Sequence, residues 1–176
     1  NEHLTYLQGA SEHYLNQCVE GIDRGVVIPA QAGDSSFDFT DGQKKHQRKA
    51  EKYIKRLQRR LSKQSKGSNR RKKVKRRIAK YHVMSANSRR DFCHQASRAL
   101  VDSPSSVFVF EDLKTSSKTK RAKPKQDRNG QFISNRAKQK SGLNKAILSK
   151  GWHQFELFTK YKAHQAGKAV FKVPAA

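Results

Sequence analysis

The chain has 176 residues, which suits one domain with a core of moderate size. Only 34% of the residues are hydrophobic and mean hydropathy is −0.96, so much of the chain is solvated or bound to something polar, and no apolar run is long enough to span a bilayer. Against 14 acids stand 39 lysines and arginines, a net charge of +25 that calls for a polyanionic partner and gives no support to a membrane or a small-molecule substrate.

Nucleic acid is the first candidate, because each basic side chain placed on a phosphate releases a condensed counterion. An anionic membrane surface is second, with no signal-type segment to support it. Cys18 and Cys93 lie far apart, without a CxxC or a nearby Cys–His pair. Zinc ligands and a disulfide framework are therefore not expected, and a reducing cytoplasmic compartment fits.

Residues 1–18 carry no assignable signal. In "VEGIDRGVVIPA", residues 19–30, a short apolar run ends at Asp23 and is followed by Arg24 and Gly25. This predicts a strand, a turn and a second strand, with "SFDF" as a possible third. Asp23 is open to two readings, a turn former or a metal ligand at a strand edge.

Residues 44–90 hold 21 of the 39 basic side chains, with Glu51 as the only acid. Tyr53, Ile54, Leu57 and Leu61 recur at helical spacing, as do Val74, Ile78 and Tyr81, continued by Phe92, Ala96 and Leu100. Between the two patterns "SKQSKGSNR" is polar, and its Gly67 and Asn69 suit a C-cap and turn. The expectation is an antiparallel helical hairpin with a narrow apolar seam and a wide cationic face. A salt-bridged solvated pair is the plain alternative, but acids at i±4 are missing. Nucleic-acid contact is assigned here to Arg56, Arg59, Arg60, Lys63, Lys66, Arg70, Arg71, Lys72, Lys73, Lys75, Arg76, Arg77 and Lys80.

"SSVFVFEDL", residues 105–113, is rich in β-formers and has the length of a buried strand. Residues 114–142 are basic, poor in apolar side chains and interrupted by Pro124, Gly130 and Gly142, and read as a mobile insertion. A helix over about 143–166 would bury Leu143, Ile147, Leu148, Trp152, Phe155 and Phe158, with Gly151 as a weak point or close-packing site. "GKAVFKVP", 167–174, is the last strand. Trp152 reads as core, while His94 and His153 fall outside any ligand spacing and read as structural or solvent-facing. The order describes an α/β fold with a helical crossover inserted.

Two acids close clearly apolar strands: Asp23 after "EGI" and Glu111 after "VFVF". Functional groups of open α/β sheets gather at strand ends. If these strands are neighbours, the carboxylates converge, and must share a proton or a cation. In a nucleic-acid protein that cation is Mg²⁺, which takes hard oxygen ligands and serves in-line phosphodiester hydrolysis. The bland reading of Glu111 and Asp112 is a loop start and cap before Lys114. On a continuing strand, Asp112 points away from Glu111.

Taken together, "GIDRG", "RLQRRLSKQSKGSNRRKKVKRRIAKYH", "RRDFCHQASRAL", "VFVFEDL" and "GLNKAILSKGWHQFELFTKYKAHQAGKAVFKVP" resemble, in that order, the TnpB/OrfB proteins of bacterial insertion sequences. Those are RNA-guided DNA nucleases related to type V CRISPR effectors. The resemblance implies a RuvC-like, RNase H-type mixed sheet, with residues 19–43 as its first part and 102–176 as its second. The basic hairpin, residues 44–101, interrupts it and is expected near a guide–target duplex. DNA and guide RNA are the implied partners. Asp23 and Glu111 correspond to the first two members of an Asp-Glu-Asp Mg²⁺ site. The role of Tyr161-Lys162, also within the shared phrase, is not derivable from the residues.

Family members continue past "KVP" into a zinc ribbon and a helix bearing the third Asp. After Glu111 this chain offers only Asp112, Asp127 and Glu156, none of them on a suitable element. The expectation is a truncated or decayed piece with an incomplete Mg²⁺ site that binds DNA or RNA and does not cleave alone. A ribosomal-type RNA-binding protein is the remaining alternative. It is disfavoured because a pure phosphate binder gains nothing from paired strand-end acids.

Overall fold

β-Branched and aromatic runs form strands, and the long Lys/Arg tracts form helices, in a computed structural model of the chain that describes residues 9–174. Two compact units result, one built from the residues up to Phe37 together with those from His94 onward, the other from Asp38–Cys93.

The first unit is organised by a five-stranded mixed sheet. Its strands are β1 (Val19–Asp23), β2 (Ala30–Ala32), β3 (Ser35–Phe37), β4 (Val107–Asp112) and β7 (Ala169–Pro174), in the order β3-β2-β1-β4-β7. β1, β2 and β3 form an antiparallel meander, whereas β4 runs parallel to both β1 and β7. This is a mixed α/β architecture. A short helix α1 (Glu12–Cys18), N-capped by Ser11, leads into β1 from the segment that carried no sequence signal.

The first β-turn region explains Gly25. Its amide donates to the Ile28 carbonyl at 3.1 Å, and a Cβ on residue 25 would sit 2.7 Å from that oxygen. No side chain fits there without moving backbone.

One face of the sheet carries the core. Ile22, Phe108 and Phe110 are buried on it, and α6 (Trp152–Gln165) turns Trp152, Phe155, Thr159 and Ala163 inward at helical spacing. Phe155 meets Phe110 edge-on with ring centroids 5.8 Å apart. Trp152 is core as its sequence context suggests, with its indole N–H donating to the Gly25 carbonyl at 3.3 Å. His94 stacks on Phe158 at 4.0 Å, and His153 is exposed.

The single helix expected over 143–166 is two helices, α5 (Ala137–Ser149) and α6. Gly151 between them adopts φ 76°, a left-handed conformation that breaks the hydrogen-bond ladder. The break resets the helical phase, so Leu143 and Leu148 of the expected buried side are exposed, at 45% and 58%. Nor is 114–142 featureless. It contains α4 (Thr115–Lys118), a two-stranded hairpin of β5 (Lys125–Gln126) and β6 (Phe132–Ile133), and the start of α5. The Asp127 carboxylate organises the hairpin turn by accepting from the Asn129 and Gln131 amides, a local bond that composition alone does not reveal.

The second unit is the hairpin of α2 (Asp41–Ser62) and the start of α3 (Asn69–Val101). Thr40 and Gln43 close a reciprocal capping box at the head of α2. Ile54 and Val74 are buried at 9% and 4%, and Phe39 packs against Phe92 with centroids 4.2 Å apart. Gly67 takes a positive φ in the connection. Asn69, expected in the turn, is instead the first residue of α3, and the capping side chain is Ser68, whose Oγ accepts from the Arg71 amide at 3.2 Å.

Candidate functional site

The parallel pairing of β1 and β4 sets Ile22 opposite Phe110. The pairing ends there, and Asp23 and Glu111 are the next residue of each strand. Paired residues of adjacent parallel strands lie on the same face, about 4.8 Å apart. Because Ile22 and Phe110 point into the core, Asp23 and Glu111 share the other face, where Asp23 is exposed and Glu111 half-buried. The two candidate ligands thus stand at the ends of adjacent strands, on the same face of the sheet by strand alternation.

Neither carboxylate is bonded to a cationic side chain among the described residues, although the chain carries +25. Arg24 and Lys172, on the neighbouring residue and the neighbouring strand β7, are committed elsewhere. Arg24 follows Asp23 and points to the opposite face, with a side chain only 2% exposed. Its guanidinium donates to Glu156 at 2.7 Å and to the Glu111 backbone carbonyl, and lies 5.3 Å from the Phe110 ring centroid. Lys172 completes the cluster at 2.6 Å from Glu156. Burial by itself raises the Glu156 pKa, but hydrogen bonds and charge from Lys172 and Arg24 outweigh it and hold the carboxyl below its ordinary value. Asp112 lies on this same side, 4.0 Å from Lys172.

Two hard-oxygen donors on one solvent-reachable face suit a divalent ion such as Mg²⁺. They do not complete a cage: among the described residues no three His, Cys, Asp or Glu side chains group around one point. Glu156, the acid on the helix before the last strand, is bound to Arg24 and Lys172 and is not available as a third ligand.

Lys162 has a legible role here that its sequence context did not provide. Its ammonium donates to the His94 carbonyl at 2.6 Å and to Ser97 Oγ at 2.8 Å, joining α6 to the end of α3. Burial, then repulsion from Arg98, lowers its pKa despite the opposing pull of Asp102. Lys168, likewise, donates to the Val101 and Ser103 carbonyls at 2.7 and 2.6 Å. Both lysines are structural cations, and only the fold reveals that they differ from the solvated majority.

In the hairpin unit, Arg56, Arg59 and Arg60 stand exposed on α2, and Lys63 and Lys66 in the connection. Arg70, Lys72, Lys73, Lys75, Arg76, Arg77 and Lys80 stand exposed on α3. Arg71 departs from the expected pattern. It is half-buried, and its guanidinium caps the end of α2 by donating to the Leu61 and Gln64 carbonyls at 2.5 and 3.0 Å. The remaining cations form an exposed basic surface able to neutralise a run of phosphates. Among the described residues no helix is long and apolar enough to cross a membrane.

Comparison with known proteins gives a consistent result. The OrfB_IS605 family, described as "Probable transposase", matches residues 16–122, more than half of the chain and inclusive of both strand-end acids and the hairpin. The chain is similar to the "Putative RNA-guided DNA endonuclease InsQ" of Escherichia coli (strain K12), with 36% identity over 157 residues, or 89% of this chain and 37% of that protein. It is also similar to a "Putative RNA-guided DNA endonuclease" of Streptomyces pristinaespiralis, with 28% identity over 152 residues, or 84% of this chain and 31% of that protein. The chain thus spans about a third of the length of these curated relatives. On the strength of the family match and the 36% relative, the chain belongs to the TnpB/OrfB family of insertion-sequence proteins.

Proposed function

We propose that the chain carries the RuvC-like, RNase H-type core of an RNA-guided DNA endonuclease, and that Asp23 and Glu111 hold a Mg²⁺ ion beside a DNA phosphate. The observation that supports this reading is the parallel pairing of β1 and β4 up to Ile22 and Phe110, since the next residue of each strand is a carboxylate with no ion pair among the described residues. A bound divalent ion there supplies Lewis-acid charge for in-line displacement at phosphorus. The protein's own part is positional. Asp23 and Glu111 present oxygen donors from adjacent strands. Arg24 ties the end of β1 to the Glu111 backbone and to Glu156 on α6, so the ligands do not splay. The hairpin cations grip DNA or guide RNA through phosphates, which sets position without reading sequence.

With two carboxylates at the site among the described residues, the chain by itself is expected to bind nucleic acid without cleaving it. A purely phosphate-binding, ribosomal-type role fits less well, because it leaves the paired acids without a task. The test is thermal unfolding of the nucleic-acid-free chain with and without MgCl₂, beside a strand-cleavage assay. Mg²⁺ is expected to raise the melting temperature of the wild type and not of Asp23→Ala or Glu111→Ala, with no cleavage by any of them. An equal Mg²⁺ response in all three would refute the metal site. Mg²⁺-dependent cleavage that vanishes in Asp23→Ala would instead refute inactivity of the isolated chain.

A further inference from the structure

The hairpin does more with its surface than display charge. Tyr53, Arg56, Leu57 and Arg60 recur at i, i+3, i+4 and i+7 on α2, and Arg77, Lys80, Tyr81 and Met84 repeat that spacing on α3. Each set therefore lies along one side of its helix. In the antiparallel pair the two sets face one another and line a groove of about 670 Å³. At its floor Tyr53 and Tyr81 stack, with ring centroids 5.3 Å apart and planes 2° from parallel. Among the described residues, four cations and no acid line it. The helices are held together by residues deeper in the seam, since Ile54 and Val74 are buried while Tyr53 is 38% exposed and Met84 52% exposed.

We propose that this groove is a stacking site for an unpaired base of a single-stranded polynucleotide, with Tyr53 and Tyr81 as the platform and Arg56, Arg60, Arg77 and Lys80 on the flanking phosphates. The inference rests on the nucleic-acid reading above and deepens it. Phosphates alone would be served by the cations and gain nothing from an aromatic floor. A base within a duplex has both faces covered by its neighbours, whereas an unpaired base offers a π-face to an aromatic ring. Partial exposure of the tyrosines between cations is the arrangement that sequence-tolerant single-strand binding uses. Deoxyribose and ribose strands share this chemistry, so the site takes an unpaired nucleotide of either kind.

The test is fluorescence anisotropy of the full chain with a short labelled single strand, as DNA and as RNA, against an abasic strand of equal length and a duplex. The wild type is expected to prefer the base-bearing strand over the abasic one by about tenfold or more. Tyr53→Leu/Tyr81→Leu, which keeps the seam apolar, should abolish that preference and leave duplex affinity and salt dependence unchanged. Tyr53→Phe/Tyr81→Phe should restore it. A preference seen with either sugar supports the site, and the favoured sugar identifies the strand. Equal wild-type affinity for base-bearing and abasic strands overturns the proposal without needing any variant, as does a preference that survives in the leucine double variant. Absence of binding to every polynucleotide would instead overturn the nucleic-acid reading on which it rests.

Discussion

Glu156→Gln tests the buried ion pair beneath the strand ends directly. Glu156 is 14% exposed and its partner Arg24 only 2%, so the change leaves a guanidinium in the core facing a neutral amide. Removing one member of a buried pair costs about 3–5 kcal/mol. The lower end applies here, because Arg24 keeps its bond to the Glu111 carbonyl and the half-exposed Lys172 is partly screened by solvent. At roughly 2–4 °C per kcal/mol for a chain of this size, a loss of about 3 kcal/mol lowers the melting temperature by about 6–12 °C.

The pH dependence is also determined. The folded-state pKa of Glu156 is lowered from its ordinary 4.5. Its contribution is fully present above that value and disappears as pH falls through the lower folded value. The wild type should therefore lose stability through this acid range, whereas the glutamine variant should show a flatter limb there. Trp152, the only tryptophan, is buried and bonded to the Gly25 carbonyl, so its fluorescence in a urea titration reports unfolding of this unit. A loss below about 0.5 kcal/mol at neutral pH would refute the reasoning, since that is the range of a surface substitution. So would an unchanged acid limb.

Three further outcomes follow from the same structure. Arg70→Gln/Lys72→Gln/Lys73→Gln should flatten the plot of log affinity against log salt by up to about 2.7 on duplex DNA, alike for every sequence, as measured by anisotropy across a salt series. Arg71→Ala should behave differently from its neighbours. Its loss uncaps α2 and lowers hairpin stability by about 1.5 kcal/mol in circular-dichroism melts, with little change in salt slope. Gly25→Ala forces a methyl group against the Ile28 carbonyl and should cost about 1–3 kcal/mol by Trp152 fluorescence.

What the sequence determined by itself is whatever depends on short-range periodicity and charge. The strands through Asp23 and Glu111, the hairpin with its seam at Ile54 and Val74, and the cationic surface are all legible because neighbours along the chain repeat at 2.0 or 3.6 residues. The family resemblance was legible for the same reason, being carried by contiguous phrases such as "GIDRG" and "VFVFED".

Only the tertiary structure decided matters that depend on residues far apart. Arg24 and Glu156 are 132 positions apart, and nothing local distinguishes that arginine from the 38 other basic residues. Arg71 is an inward cap while Arg70 and Lys72 face solvent, because one helical step rotates a side chain by about 100° toward the end of α2. The left-handed backbone at Gly151 split an apparently continuous helix and moved Leu143 and Leu148 to the surface. Asp23 and Glu111 share a face because the strands pair in parallel at that register. A shift of one residue would have put them on opposite sides of the sheet.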